Sequence, residues 1–166
     1  MPNMEQPEND LRQQALQYFR QAYERQMNGE LDEAIALYTR SIDTLPTAEA
    51  YTFRGWTYCF KEDLDRAIAD CLEAIKVDPD FGNPYNDIGA YLIQLGKWDE
   101  AIPWLEQAIT AKRYESYYFP HFNLGRVYEH KHDWKKAENC YKQAFRMNPQ
   151  YVIALRALKR LEGKWN

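Results

Sequence analysis

Short polar turns cut this chain into apolar helical stretches at a regular interval. Ala34, Ala67, Ala101 and Ala137 each open such a stretch, at spacings of 33, 34 and 36 residues. The same register aligns Tyr18, Tyr51 and Tyr85 with His121, and Tyr38, Cys71 and Leu105 with Tyr141. Ala22, Gly55, Gly89 and Gly125 form a third column, and Pro46, Pro79 and Pro149 a fourth that the third repeat lacks. The segments NGELDEA, KEDLDRA, QLGKWDEA and EHKHDWKKA each put a polar turn before a second helix. There Asp32, Asp65, Asp99 and Asp133 are expected to cap or favour the helix start. The prolines then stop that helix or begin the next. The pattern predicts helix, tight turn, helix and short connection, four times over.

The small columns have a physical reason. Glycine inside a helix costs about 1 kcal/mol relative to alanine, so its recurrence marks places where another helix approaches closely. The alanines offer matching contact points, while Tyr38, Leu105 and Tyr141 are expected to fill the wider space beyond the crossing. A hairpin of this kind cannot bury both apolar faces alone. Stacked neighbours must complete the core, which predicts a short right-handed superhelix.

These columns, clearest in YNDIGAYLIQLGKWDEAI and HFNLGRVYEHKHDWKKAE, resemble the tetratricopeptide repeat family. The resemblance runs from about Ala15 to Tyr151 and implies an all-α tetratricopeptide-like right-handed superhelical solenoid of helix-turn-helix repeats with a C-terminal capping helix. We expect an N-terminal extension over 1–14, repeats over 15–47, 48–81, 82–117 and 118–151, and a capping helix and tail over 152–166. In that last segment Ile153, Leu155, Leu158 and Leu161 are available to cover the final hairpin. Gln21 and Arg25 replace the small or apolar residues of later repeats, so the first repeat is expected to expose its outer face as an N-terminal cap. The third repeat ends in ITAKRYESYYFP, two residues longer, and is expected to be the main irregularity. Pro103 removes one backbone donor near a helix start and predicts a local bend.

Composition narrows the function. A chain of 166 residues, 45% hydrophobic and 28% charged, holds one folding unit with enough apolar material for a core. A net charge of -4 argues against general attraction to phosphate backbones or anionic membranes. Lys131, Lys135, Lys136 and Lys142 form the most basic stretch, but Asp133 and Glu138 interrupt it. Cys59, Cys71 and Cys140 are too widely spaced for a disulfide framework or zinc knuckle, which favours a reducing compartment. No apolar stretch approaches the roughly 18 residues of a membrane span. We therefore expect a cytoplasmic protein that binds neither nucleic acid nor membrane.

No constellation points to catalysis. His130 and His132 are two apart near a turn, not on one helix face, and His121 occupies a packing column. Asp70 with Glu73, and Glu30, Asp32 and Glu33, are familiar arrangements of solvated helices and helix entries. There is no phosphate loop, dinucleotide fingerprint or GxSxG elbow, and Cys59 has no nearby histidine. Neither an enzyme nor a metal or other cofactor is expected.

Resemblance to the family implies that the first helix of each repeat lines a concave groove for a protein or peptide partner. Its exposed positions map to Phe19, Tyr23, Met27, Trp56, Phe60, Asn86, Ala90, Phe122, Asn123 and Arg126. Trp56, Phe60 and Phe122 have the alternative of serving as inter-repeat core. The column Tyr23, Trp56, Ala90 and Arg126 is chemically uneven, as a surface tailored to one ligand would be. Aromatics there can anchor apolar side chains, and Asn86, Asn123 and Arg126 can recognise backbone groups or an acidic side chain. The family's chaperone subgroup clamps a terminal carboxylate with Lys, Asn and Arg. The corresponding positions here hold Phe19, Tyr23, Phe53, Asn83 and Asp87, so that clamp is not expected. A monomer is expected, with Tyr114, Tyr117, Tyr118 and Phe119 as the alternative dimer contacts. A structural, self-associating role and an enzyme with a convergent site stand as the competing functions.

Overall fold

Two helices can touch closely only where neither carries bulk, and the recurring small positions meet that condition. A computed structural model gives the structure of residues 5–165. Nine helices lie among them: α1 (Glu5–Met27), α2 (Leu31–Thr44), α3 (Ala48–Phe60), α4 (Leu64–Val77), α5 (Asn83–Gln94), α6 (Trp98–Thr110), α7 (Tyr118–His130), α8 (Trp134–Met147) and α9 (Val152–Trp165). The chain divides into two compact units, Met1–Pro79 and Asp80–Asn166. In the N-terminal unit α1 pairs with α2 and α3 with α4, and α3 also packs on α2 and α1. In the C-terminal unit α5 pairs with α6 and α7 with α8; α7 meets α6 and α5, and α9 covers α8. The two units differ in charge. The first holds fifteen acidic against eight basic residues, the second ten against thirteen.

The glycine column works by direct contact. A Cβ added at Gly89 would overlap Leu105, and one at Gly125 would overlap the ring of Tyr141. The large side chains therefore lie on the glycines themselves, not in a wider space beyond the crossing. At Gly55 the partner column holds the smaller Cys71, and the space is closed instead by the Ala67 carbonyl, 2.9 Å from the added atom. Ala34, Ala67, Ala101 and Ala137 are all fully buried.

Each hairpin turn uses one residue in the left-handed region: Gly29 (φ 81°), Glu62 (φ 61°), Gly96 (φ 74°) and His132 (φ 61°). The four expected acids meet the helix starts in two ways, as a cap or within the first turn. Asp133 does cap, accepting from the Lys136 N–H at 3.2 Å, but in the second hairpin the cap is Asp63, 3.1 Å from the Arg66 N–H. Asp65 lies in the first turn of its helix, as do Asp32 and Asp99. Asp32 and Asp99 instead pair with Lys61 and Lys131 in the turn of the following hairpin. Helix α6 runs through Pro103 without a break.

The third connection folds back on its own unit. Phe81 and Arg113 form a parallel bridge, with the Gly82 N–H donating to Arg113 O at 3.1 Å and the Arg113 N–H to Asp80 O at 2.9 Å. Tyr114 is buried with Ala108 and Ala111, and the Tyr117 hydroxyl donates to Ala111 O at 2.6 Å. Both tyrosines thus have uses within the chain. At the C-terminal end α9 buries Ala154, Ala157, Leu158 and Leu161, whereas Ile153 is 51% exposed. Leu158 and Leu161 thus pack with Ala157 on Ala137 and Tyr141 of α8 as expected, Leu155 is half-buried, and Ile153 falls outside the covering face. Helix α1 begins at Glu5, ten residues before Ala15, and residues 8–14 are all exposed.

Candidate functional site

Four of the ten expected surface residues stand exposed in the N-terminal unit: Tyr23, Met27, Trp56 and Phe60, at 42%, 50%, 37% and 50%. Phe19, Tyr23 and Met27 follow at four-residue intervals on α1; Phe53, Trp56 and Phe60 follow at three and four on α3. Each set therefore forms one helix stripe. The rings make a continuous ladder. Phe53 lies 5.2 Å from Phe19, 5.8 Å from Tyr23 and 5.8 Å from Trp56, and Trp56 lies 5.1 Å from Phe60. The ladder rests on buried Tyr38, 5.4 Å from Phe19 and 6.3 Å from Phe53. Such contacts hold the rings in place while leaving their outer edges free. Phe19 also walls an open apolar cleft of about 290 Å³ with Ala15, Leu16 and Leu45.

Phe53, the hub, was absent from the expected set. Its column continues with Asp87 and Asn123, so no repeated aromatic marks it. Its three-residue spacing to Trp56 was the available signal.

The C-terminal unit presents a polar lane. Asn86 and Asn123 were expected to be exposed, but both are buried, at 8% and 7%. Helices α5 and α7 bring them together, so Asn123 Nδ2 donates to Asn86 Oδ1 at 3.0 Å. Half-buried Arg126 donates from Nη1 to Asn123 Oδ1 at 3.2 Å, and Asn86 Nδ2 reaches Asp87 Oδ1 at 3.4 Å. Burial pushes the Asp87 carboxyl up to about 7, against the Asn86 hydrogen bond, which favours the ionised form. Ala90 is partly buried. Phe122 packs on buried Tyr141, centroids 5.4 Å apart, and so belongs more to core than to surface. Tyr151, not anticipated, gathers Tyr118, Phe119 and Phe122 at 5.1, 5.4 and 5.3 Å.

The remaining chemically active side chains have packing or turn roles. His130 stacks on Trp98 at 4.0 Å, and His132 occupies the left-handed turn position. Burial lowers the His121 pKa and pushes the Cys140 thiol up to about 11, away from the thiolate. No group of three or more His, Cys, Asp or Glu among the described residues could hold a metal ion. No described helix is long and apolar enough to cross a membrane.

Two family models, both described as tetratricopeptide repeat, match residues 48–81 and 80–150. The chain belongs to the tetratricopeptide-repeat family. Its all-α fold of repeated helix hairpins is the tetratricopeptide solenoid fold expected. Heat shock protein STI1 of Saccharomyces cerevisiae is 33% identical to this tetratricopeptide protein over 72 residues, which is 42% of this chain and 12% of STI1. The chain likewise spans only a small part of other curated relatives, 6% to 19% of their length. Among solved structures, Pseudomonas aeruginosa PilF has a TM-score of 0.84 at 17% identity, covering 94% of this chain and 69% of PilF. YrrB, described as a TPR protein with an unusual peptide-binding site, has a TM-score of 0.67 at 20% identity, covering 90% of this chain and 77% of its own.

Proposed function

We propose that this tetratricopeptide protein is a protein-interaction module that grips a peptide segment of its partner through the aromatic ladder of the N-terminal unit. The carrying observation is that Tyr23, Trp56, Phe60 and Met27 are exposed together on two adjoining helices while Phe53 and Phe19 anchor the ladder from beneath. Exposed rings held at fixed spacing offer apolar area with little conformational entropy to lose on binding. The reading is supported by the peptide-binding site named for YrrB, a protein of the same fold.

The ligand is an extended or helical segment presenting apolar side chains to Trp56 and its neighbours. A partner captured with the intact protein would be cut to a minimal peptide and titrated calorimetrically. Trp56→Ala should weaken binding at least tenfold, about 1.4 kcal/mol, with an unchanged circular dichroism spectrum. Retention of full affinity by the folded variant would move the binding surface elsewhere. Amidating the peptide's C-terminal carboxylate should change affinity less than tenfold, because the residues of a terminal clamp are missing.

A further inference from the structure

Arginines in this chain usually have an anion or a ring to meet. Arg54, similarly half-buried, grips Asp70 with two nitrogens at 2.8 and 2.7 Å. Arg25, Arg66 and Arg160 pair with Glu30, Asp63 and Glu129, and Arg40 lies over Tyr18. Arg126 departs from this. It is half-buried on α7, and its hydrogen bond goes to a neutral amide oxygen, Asn123 Oδ1. The acid one turn further along the same helix, Glu129, is already taken by Arg160, Lys164 and the Tyr141 hydroxyl. A guanidinium that has lost part of its water without gaining an anion keeps most of its donors for one.

Its surroundings are built rather than incidental. Asn123 is itself nine-tenths buried, and its amide is oriented by donating to Asn86. The Asn123 oxygen therefore faces Arg126 and fixes one edge of the guanidinium, leaving the other nitrogens for a ligand. The positive field is felt by Tyr151 and Tyr141, whose ionisation Arg126 favours against the larger effect of burial. Phe119, 37% exposed, shares this face of α7 at the spacing of two helical turns and gives an apolar contact beside the charge.

We propose that Arg126, held by Asn123, is a receptor for one carboxylate on an acidic side chain of a peptide segment bound at the C-terminal unit. This rests on the peptide-binding reading and adds a charge requirement to it. A planar carboxylate matches the guanidinium fork, and one cation among neutral amides suits a single negative charge.

The test begins with random dodecamers displayed between two flanking proteins, so that no peptide has a free terminus. Selection on the wild-type protein should enrich peptides that carry Asp or Glu. Synthetic peptides with both ends blocked should lose about tenfold in affinity when that Glu becomes Gln. Arg126→Gln should lose about the same, and on that variant the Glu-to-Gln change should cost nothing further. Arg126→Lys, which keeps the charge without the fork, should recover part of the loss. Enriched peptides without an acid, or an undiminished Glu-to-Gln cost on Arg126→Gln, would overturn the assignment while leaving peptide binding intact. A phosphoserine peptide binding tenfold tighter than its Glu counterpart would overturn it in favour of a phosphate receptor. If no peptide is enriched at all, the peptide-binding reading falls and this one with it.

Discussion

The Tyr38 hydroxyl donates to Gln26 at 2.7 Å, and the Tyr141 hydroxyl to Glu129 at 2.8 Å. In the repeat register these are the same contact. The hairpins between them hold Cys59 with Cys71, and Ile93 with Leu105, in those columns. A buried phenol requires an acceptor and a buried leucine does not, so the two columns change together. This pairing was legible in the sequence, but reading the second-helix column alone hid it. Gly125→Ala should destabilise by about 1–3 kcal/mol in urea unfolding, because Glu129 holds Tyr141 and prevents its retreat. Glu129 also shows how partners outweigh burial: burial pulls its pKa up, yet hydrogen bonds from Arg160, Tyr141 and Lys164 hold it below the usual carboxylate range. Its contribution is therefore present above the unfolded carboxylate pKa and is lost as pH falls below it. Asp87 behaves oppositely. With its folded pKa raised to about 7, it favours the fold fully only below its unfolded value, and that advantage disappears as pH rises to 7 and beyond. Asp87→Asn should therefore gain stability relative to wild type between pH 5 and pH 8, by no more than roughly 4 kcal/mol. A flat difference across that range would refute the assignment. No sequence pattern announced Asp87, since its environment is made by tertiary packing.

Among the elements, turns and helix ends show where sequence reasoning holds. The four turns were located by their polar composition, but their common left-handed residue was visible only where it was glycine. Glu62 and His132 adopt φ 61° at the positions that Gly29 and Gly96 occupy elsewhere. An L-residue there costs about 1 kcal/mol, so Glu62→Gly and His132→Gly should each stabilise by about 0.5–1 kcal/mol, read from the urea midpoint. Destabilisation by either would mean that its side chain contributes more than the backbone strain costs. The capping face of α9 follows Leu158 and Leu161 as the sequence predicts, with Ala157 beside them on Ala137 and Tyr141, whereas Ile153 lies exposed. The third connection was correctly seen as irregular, but its aromatics could not be assigned to core or surface from sequence. Their burial depends on the chain returning to Asp80–Gly82, a contact between segments thirty residues apart.

At the scale of the whole molecule, repeat periodicity carried the fold because every hairpin restates it. Surface positions are freed from that restatement, and the ten expected surface residues consequently separated into exposed, partly buried and buried groups. Aromatics on the N-terminal unit stayed outside, while the two asparagines of the C-terminal unit turned into an internal link. Helix α1 is the one element that departs from the repeat length, at 23 residues against 12 to 14 for the others. Its exposed stretch over residues 8–14 is about 10 Å of helix whose side chains gain nothing from a core. Such a segment melts from its end, residue by residue, and does not share the cooperative transition of the body. A thermal scan at 222 nm should therefore slope well before the main transition. Deleting residues 1–10 should flatten that slope while leaving the transition temperature nearly unchanged; a substantially lowered temperature would instead make the overhang part of the cooperative unit. In calorimetry the same segment would take up heat without contributing a peak, so the helix seen by spectroscopy and the structure that melts as one body are different quantities.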